Sequence, residues 1–257
     1  MKQQNVSGST FLCNEYPVNP DKTTLVFIHG AGQSATFWEQ QFKGLGKICN
    51  VIALDLPGHG QSQKNGLARV SDYAAQVSDF LNQARLPSYV LCGLSLGGAV
   101  TLELLLQNNT GAAAGIIINS GAKLRVMPKI FDVIRKDYTR YVAASLAVTI
   151  SKNTPAEKVR HLFDEMALLD PEIIYDDFIA CDNFDVREKL GNIHLPVLVL
   201  TATDDRLTPE KFGVFLCEKI PGARHVSIAQ AGHLSPVEKP DEVNSAIISF
   251  LKGLGVI

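Results

Sequence analysis

A serine flanked by two glycines is the residue whose setting points most directly to chemistry. Ser95 stands between Gly93 and Gly97, with an apolar run before it and helix-forming residues after it. A strand that turns there into a helix lifts the hydroxyl clear of the backbone, because the glycines lack the Cβ atoms that would collide. The N–H of Leu96 then lies at a helix N-terminus, where it can stabilise an oxyanion. The pattern predicts a nucleophile for acyl transfer rather than a serine that only caps the helix.

A serine nucleophile needs a base, and the base needs a carboxylate that orients it. Residues 195–202 are apolar and β-branched and predict a buried strand, which Asp204 and Asp205 follow directly. Residues 223–229 predict a last strand, and His233 stands in the loop after it. Because the carboxyl ends of parallel strands meet at one edge of a sheet, we expect Ser95, His233 and one of the two aspartates to lie together.

The remaining elements alternate in the way that such a sheet requires. Strands are predicted over 25–28, 50–54, 89–92 and 114–120, and helices over 35–45 and 70–84. This alternation predicts a mostly parallel sheet with helices on both faces. From 122 to 191 no strand is predicted, and three helical stretches follow one another at 128–150, 155–169 and 171–180.

Four sequence blocks together resemble the α/β-hydrolase superfamily over almost the whole chain. They are His29-Gly-Ala-Gly32 after the first central strand, Asp55-Leu-Pro-Gly-His-Gly-Gln-Ser62 after the next strand, the turn around Ser95, and the two loops with Asp205-Arg-Leu-Thr-Pro209 and Gly232-His233. The resemblance is to the serine esterase and enol-lactonase-like branch with a helical cap. It implies an α/β-hydrolase core over 1–121 and 191–257, and a cap inserted over 122–190.

The resemblance also implies a role for each candidate residue. Ser95 is expected to be the nucleophile, His233 the base and Asp205 the acid, since the family's acid stands four residues before the proline. The oxyanion is expected to be held by the backbone N–H groups of Ala31 and Leu96. A serine at the turn argues against the dehalogenases and epoxide hydrolases, which use a carboxylate there. No cofactor and no metal is expected.

The function expected from these residues is hydrolysis of a small carboxylic ester or lactone through an acyl-enzyme on Ser95. Two alternatives stay open within the sequence. The same three side chains can cleave carbon–carbon bonds of dienoic ketones or transfer an acyl group to an acceptor other than water. A hydrolase-fold protein can also serve as a ligand receptor or signalling protein with little turnover.

Composition excludes several other classes of function. The chain has 257 residues, 46% hydrophobic content and a net charge of −2, so it offers no basic surface for nucleic acid. No apolar run is long enough to cross a bilayer, and residues 1–10 lack the apolar segment of a secretory signal. The five cysteines show no Cys-x-x-Cys spacing, which predicts reduced thiols in a cytoplasmic protein. The sequence leaves open whether the chain forms a homo-oligomer.

Overall fold

The computed structural model describes residues 1–62, 65–108 and 111–257 of the chain. Residues 63, 64, 109 and 110 belong to the predicted core range 1–121 but lie outside the described residues. The strands are β1 (Lys2–Val6), β2 (Ser9–Cys13), β3 (Thr24–Ile28), β4 (Asn50–Leu54), β5 (Tyr89–Leu94), β6 (Ala112–Ile118), β7 (Val197–Ala202) and β8 (Arg224–Ile228). In the described ranges they form one sheet in the order β1-β2-β4-β3-β5-β6-β7-β8.

The sheet is parallel from β4 to β8, and its central strands are buried on both faces. Every residue of β3, β4 and β5 is buried. Alternate residues of each strand belong to two different apolar clusters, as Val26 and Leu25 do, because successive side chains point to opposite faces. This confirms the predicted α/β-hydrolase fold, a mostly parallel sheet between two helical layers.

An N-terminal hairpin adds two antiparallel strands that were not predicted. β1 pairs with β2 in a register that places Lys2 opposite Cys13, and β2 pairs with β4. Ser7 (φ +50°) and Gly8 (φ +85°) form the two-residue turn, and positive φ at both positions is what a tight hairpin requires. The sequence of β1 is polar, because this strand lies at the exposed edge of the sheet. A hydrophobicity pattern therefore does not predict the hairpin.

The helices cover both faces of the sheet. They are α1 (Glu39–Leu45), α2 (Val70–Ala84), α3 (Leu96–Leu106), α4 (Pro128–Lys136), α5 (Tyr138–Thr149), α6 (Arg160–Met166), α7 (Pro171–Asp182), α8 (Lys211–Lys219), α9 (Ser235–Glu238) and α10 (Pro240–Gly253). Apolar residues of α2, α3 and α8 pack on one face of the sheet, and those of α1 and α10 pack on the other.

Three predicted helices are interrupted in the structure. The 35–45 stretch forms a short 3₁₀ turn (Ala35–Trp38) before α1. The 128–150 stretch breaks at Asp137 (φ −157°), whose side chain accepts from Arg140 N and so caps the start of α5. The 155–169 stretch forms a 3₁₀ turn (Ala156–Lys158) and then α6. Two of the breaks lie at 3₁₀ turns and the third lies at a side-chain cap, so the apolar pattern alone does not give the ends of these helices.

The helical segment 122–190, which contains α4 to α7, leaves the sheet after β6 and returns before β7. Its two ends lie side by side. Val186 N donates to Ala122 O (2.8 Å), Lys123 and Asp185 form a β-bridge, and their side chains form an ion pair (2.7 Å). Its division from the core as a cap stays a prediction.

Candidate active site

Ser95 occupies a sharp turn between β5 and α3. Its backbone has φ +53° and ψ −114°, a combination that residues other than glycine rarely adopt. Its N–H donates to Ile118 O (3.0 Å), and its carbonyl accepts from Ala99 N (3.0 Å) and Ser120 Oγ (2.7 Å). These bonds hold the strained turn, and the Ser95 side chain stays partly exposed.

The loop after β3 lies against this turn. A Cβ built on Gly30 would lie 3.4 Å from Ser95 Cβ. The N–H of Ala31 donates to no acceptor within the described part of the chain, whereas Gly30 N donates to Gln33 Oε1 (3.1 Å). Leu96 begins α3, and the N–H of a first helical residue has no intrahelical acceptor. Two backbone amides near Ser95 can therefore bind an anionic oxygen.

His233 and Asp205 form a buried hydrogen-bonded pair on the loops after β8 and β7. His233 Nδ1 lies 2.9 Å from Asp205 Oδ2. Thr208 Oγ1 donates to the same oxygen (2.7 Å), and the amides of Leu207 and Thr208 donate to Oδ1 (2.8 and 3.0 Å). With the carboxylate on Nδ1, the imidazole keeps Nε2 as its proton acceptor.

The environment of Asp205 favours its charged form. Burial alone would raise the pKa of this carboxyl group. The positive charge that His233 can carry, together with hydrogen bonds from His233 and Thr208, outweighs burial and lowers the pKa below its usual value. The carboxyl group is therefore ionised at neutral pH, which suits a residue that orients an imidazole.

Asp204, the alternative carboxylate, has different partners. Its Oδ2 accepts from Ser151 Oγ (2.5 Å) and its Oδ1 from Thr203 Oγ1 (3.2 Å). Ser151 belongs to the helical segment 122–190, so this side chain contacts the insertion and not His233. Of the two candidates, the structure brings Asp205 to the histidine.

Asn119 connects the histidine loop with the serine turn. It directly follows β6, whose Ile118 accepts the N–H of Ser95. Its Nδ2 donates to His233 O (2.8 Å), Ser235 Oγ (2.9 Å) and Gly232 O (3.3 Å). The two loops are therefore fixed to the same end of β6. The sequence analysis did not identify this role.

One hydrogen bond of the expected triad is not formed among the described residues. Across residues 1–62, 65–108 and 111–257, Ser95 Oγ makes no hydrogen bond, either with His233 Nε2 or with another group. The structure thus joins His233 to Asp205 and leaves the serine hydroxyl as a separate group on the same edge of the sheet.

Glu238 is a buried carboxylate that sequence reasoning missed. Its side chain accepts from the amides of Gly232 (3.0 Å) and Leu234 (3.1 Å), which flank His233. It also accepts from Ser151 N (2.9 Å) and Thr154 Oγ1 (2.6 Å) of the helical segment. Glu238 therefore holds the histidine loop and the insertion together, and no local pattern in the sequence signals it.

His29 and His59 form a buried pair beneath the loop after β3. Their rings lie 4.9 Å apart. His29 Nε2 accepts from Leu56 N (3.1 Å), and its Nδ1 lies 2.8 Å from Gly30 O. His59 Nε2 lies 2.9 Å from Asp177 Oδ2, an acidic residue of α7.

Within the described residues, no helix combines the length and the apolar character that a membrane span requires.

Comparisons with known proteins agree with this architecture. A family model described as the alpha/beta hydrolase family matches residues 25–246. The chain is 27% identical over 241 residues to 3-oxoadipate enol-lactonase 2 of Acinetobacter baylyi, covering 90% of each chain. It is 32% identical to the solved structure of a thermophilic esterase, with a TM-score of 0.82 over 99% of this chain and 98% of that chain.

A further solved structure, the enol-lactonase from Burkholderia xenovorans LB400, superposes with a TM-score of 0.87 at 22% identity. The superposition covers 98% of this chain and all of that one, which shows a shared fold. The family match spans all the central strands and both loops that carry Asp205 and His233. The chain belongs to the alpha/beta hydrolase family.

Proposed function

We propose that the protein is a serine hydrolase that cleaves a small carboxylic ester or lactone through an acyl-enzyme on Ser95. The observation that carries the proposal is the buried His233–Asp205 hydrogen bond at the sheet edge where Ser95 stands on its strained turn. A histidine oriented in this way, on the same sheet edge as a serine and two amides that have no acceptor among the described residues, has the parts that acyl transfer requires.

In the first step, Ser95 Oγ attacks the acyl carbon as His233 Nε2 takes the hydroxyl proton. This requires the Ser95–His233 contact to form when the substrate enters, as catalytic hydrogen bonds commonly do. The carbonyl oxygen becomes an oxyanion, which the N–H groups of Ala31 and Leu96 bind. Removal of one such donor typically costs about 3–4 kcal/mol of transition-state stabilisation. The alcohol then leaves with the proton from His233.

In the second step, water attacks the acyl-enzyme and regenerates Ser95. His233 now takes a proton from the water and returns it to the serine oxygen as the acyl–oxygen bond breaks. Asp205 stays ionised throughout and stabilises the imidazolium that forms twice per cycle. The reaction is balanced by water alone.

Two relatives support an ester or lactone as the substrate. One bears the name of an enol-lactonase, and the other is described as an esterase. Both names belong to reactions in which an acyl–oxygen bond is cleaved, which is the step that the serine, histidine and amides are arranged to assist.

The test is turnover of p-nitrophenyl acetate by the wild type and two variants. We expect Ser95→Ala and His233→Ala to lose at least about 10³-fold in kcat while circular dichroism shows a retained fold. Asp204→Asn is the matched control, since this carboxylate faces Ser151, and its kcat should stay within about twofold of the wild type. Activity of Ser95→Ala near the wild-type value would refute the proposal.

Two further measurements separate the alternatives. A fluorophosphonate probe should label the wild type and not Ser95→Ala. A panel of acyl esters, lactones and dienoic ketones then identifies the bond that is cleaved, and preference for the ketones would favour a carbon–carbon hydrolase. Labelling without turnover of any panel member would favour a receptor that retains a reactive serine.

A further inference from the structure

Asp177 is a fully buried carboxylate that links three separate parts of the core. It stands on α7 and its side chain has no exposure. Its oxygens accept from Gly32 N (2.9 Å) on the loop after β3 and from Tyr73 OH (2.6 Å) on α2, and Oδ2 lies 2.9 Å from His59 Nε2. The bond to Gly32 joins the helical segment directly to the loop that carries Ala31.

A second contact presses α7 onto the same loop. Gly32 has φ +68°, and a Cβ built on it would lie 2.4 Å from Ile174 Cδ1. Ile174 precedes Asp177 by one helical turn, so both side chains lie on the same face of α7. The loop is therefore held by an apolar contact and a charged hydrogen bond from one helix.

The other side of the loop is fixed by the core. His29 Nε2 accepts from Leu56 N, so the proton of the neutral imidazole is on Nδ1 and donates to Gly30 O (2.8 Å). The peptide bond between Gly30 and Ala31 is trans, and its N–H therefore points opposite to that carbonyl. His29 thus fixes one side of the Ala31 amide, and the bond from Gly32 to Asp177 fixes the residue that follows.

We propose that Asp177 is a positioning residue for the oxyanion site. Through it, binding of the oxyanion depends on the contact between α7 and the loop after β3. The proposal rests on the proposed function, since it assigns Ala31 N–H to the oxyanion. Asp177 does not touch the substrate in this account. It acts through Gly32 and through the His59 ring, which contacts His29.

The test compares Asp177→Asn with Asp176→Asn. The control removes the same charge from the neighbouring position, whose side chain is half-buried and forms no hydrogen bond within the described ranges. For Asp177→Asn we expect kcat for p-nitrophenyl acetate to fall by about 10- to 100-fold, with KM changed less than about threefold. A displaced oxyanion donor lowers kcat by at most as much as removal of that donor would. Asp176→Asn should keep wild-type values.

A pair of ketone inhibitors separates positioning from loss of structure. A trifluoromethyl ketone accepts Ser95 Oγ at its carbonyl carbon, the hydroxyl proton passes to His233, and the carbonyl oxygen becomes an oxyanion. The matching methyl ketone occupies the same pocket without forming the adduct. We expect Asp177→Asn to weaken the trifluoromethyl ketone by about 10-fold or more and the methyl ketone by less than about twofold. Equal weakening of both would overturn the proposal.

Two precautions keep the outcome decisive. If Asp177→Asn does not fold, Tyr73→Phe replaces it. It removes one donor to the same carboxylate and the acceptor of Leu67 N, both on a helix distant from the loop that carries Ala31. For Tyr73→Phe, a loss in kcat of about threefold or more at unchanged KM supports the proposal, and an unchanged kcat overturns it.

If the wild type turns over neither an ester nor a lactone, the proposed function fails. Amide hydrogen exchange of Gly32 then still tests the anchoring, which requires faster exchange in Asp177→Asn and not in Asp176→Asn.

Discussion

His29 and His59 are two buried imidazoles in contact whose pKa values move in opposite directions. Burial and the neighbouring His59 charge lower the pKa of His29 to about 3. Burial would also lower the pKa of His59, but the charge and hydrogen bond of Asp177 outweigh it and leave the pKa raised. At neutral pH the first ring is therefore neutral and accepts from Leu56 N, while the hydrogen bond between the second ring and Asp177 favours the protonated form of His59.

These shifts predict a characteristic dependence of stability on pH. The pKa of His59 in the folded chain lies above the ordinary histidine pKa of about 6.5. The stability that protonated His59 contributes is therefore complete below about pH 6.5 and is lost as the pH rises through the raised pKa. For His29 the unfolded chain binds the extra proton between about 3 and 6.5, so stability falls on acidification through that window.

We therefore expect the free energy of unfolding to decrease less with rising pH in His59→Gln than in the wild type. The measurement is the free energy of unfolding in urea from pH 6 to 9. His161→Gln is the control, because His161 is an exposed histidine. The difference in free energy of unfolding between wild type and His59→Gln should narrow as the pH rises, because His59 of the wild type loses its proton and its attraction to Asp177 weakens. Parallel curves over this range would contradict the assignment.

At the residue scale, the candidates that could be predicted are those that stand directly after a strand. Ser95, Asp205 and His233 each follow an apolar run that the sequence identifies, so their common edge of the sheet follows from topology. Asp177 and Glu238 could not be predicted, because no local pattern marks a carboxylate whose partners include residues far along the chain, such as Gly32 for Asp177 and Ser151 for Glu238. Their donors come from loops whose approach depends on the packed structure.

The strand-to-helix turn is the element whose geometry depends most on a missing side chain. A Cβ built on Gly93 would lie 2.0 Å from Gly97 O and 2.5 Å from Thr101 Oγ1, so β5 and α3 would have to separate. The backbone atoms on both sides are fixed by the sheet and the helix, which leaves little room for adjustment.

Gly93→Ala should therefore lower the free energy of unfolding by about 3 kcal/mol, the upper part of the usual cost of overpacking. Gly191→Ala is the control, because a Cβ there meets no atom within 4 Å. Its stability should change by less than about 1 kcal/mol. Urea unfolding monitored through Trp38 fluorescence gives both values, and equal stabilities would show that the turn can relax.

The loop after β8 depends on a helix that follows it closely in sequence. Glu238, the last residue of α9, accepts from both amides that flank His233 and from the insertion. We expect Glu238→Gln to cost about 1–3 kcal/mol of stability, because an amide nitrogen would face backbone donors. It should also lower kcat.

Glu242→Gln provides the matched control for this substitution. Glu242 is exposed on α10, so loss of its charge should change the free energy of unfolding by less than about 0.5 kcal/mol. Thermal and urea unfolding of both variants are compared with kcat for p-nitrophenyl acetate. A Glu238→Gln protein as stable and active as Glu242→Gln would remove Glu238 from the support of His233.

At the element scale, buried strands could be predicted more closely than helix ends. The predicted strand over 50–54 coincides with β4, since an apolar run buried on both faces is unambiguous. The predicted helix over 128–150 breaks at Asp137, where a side-chain cap decides the boundary. The β1–β2 hairpin was missed because its edge position relaxes the demand for apolar residues.

Across the whole molecule, both edge strands of the sheet are mostly exposed. Polar residues of β1 form one edge, and Arg224, His225, Val226 and Ser227 of β8 are exposed at the other. Charged side chains on an edge strand oppose pairing with another sheet. The oligomeric state of the chain remains an open prediction.

The paired ends of the helical segment have a consequence for how this molecule can diversify. Because Ala122 and Val186 already meet, the intervening chain need not span any distance, and its closure entropy changes only slowly with length. Insertions, deletions or wholesale exchange between these two points leave the strand register untouched. We expect such changes to affect the loops after β3 and β8, which contact Asp177 and Ser151 of this segment, before they affect the sheet.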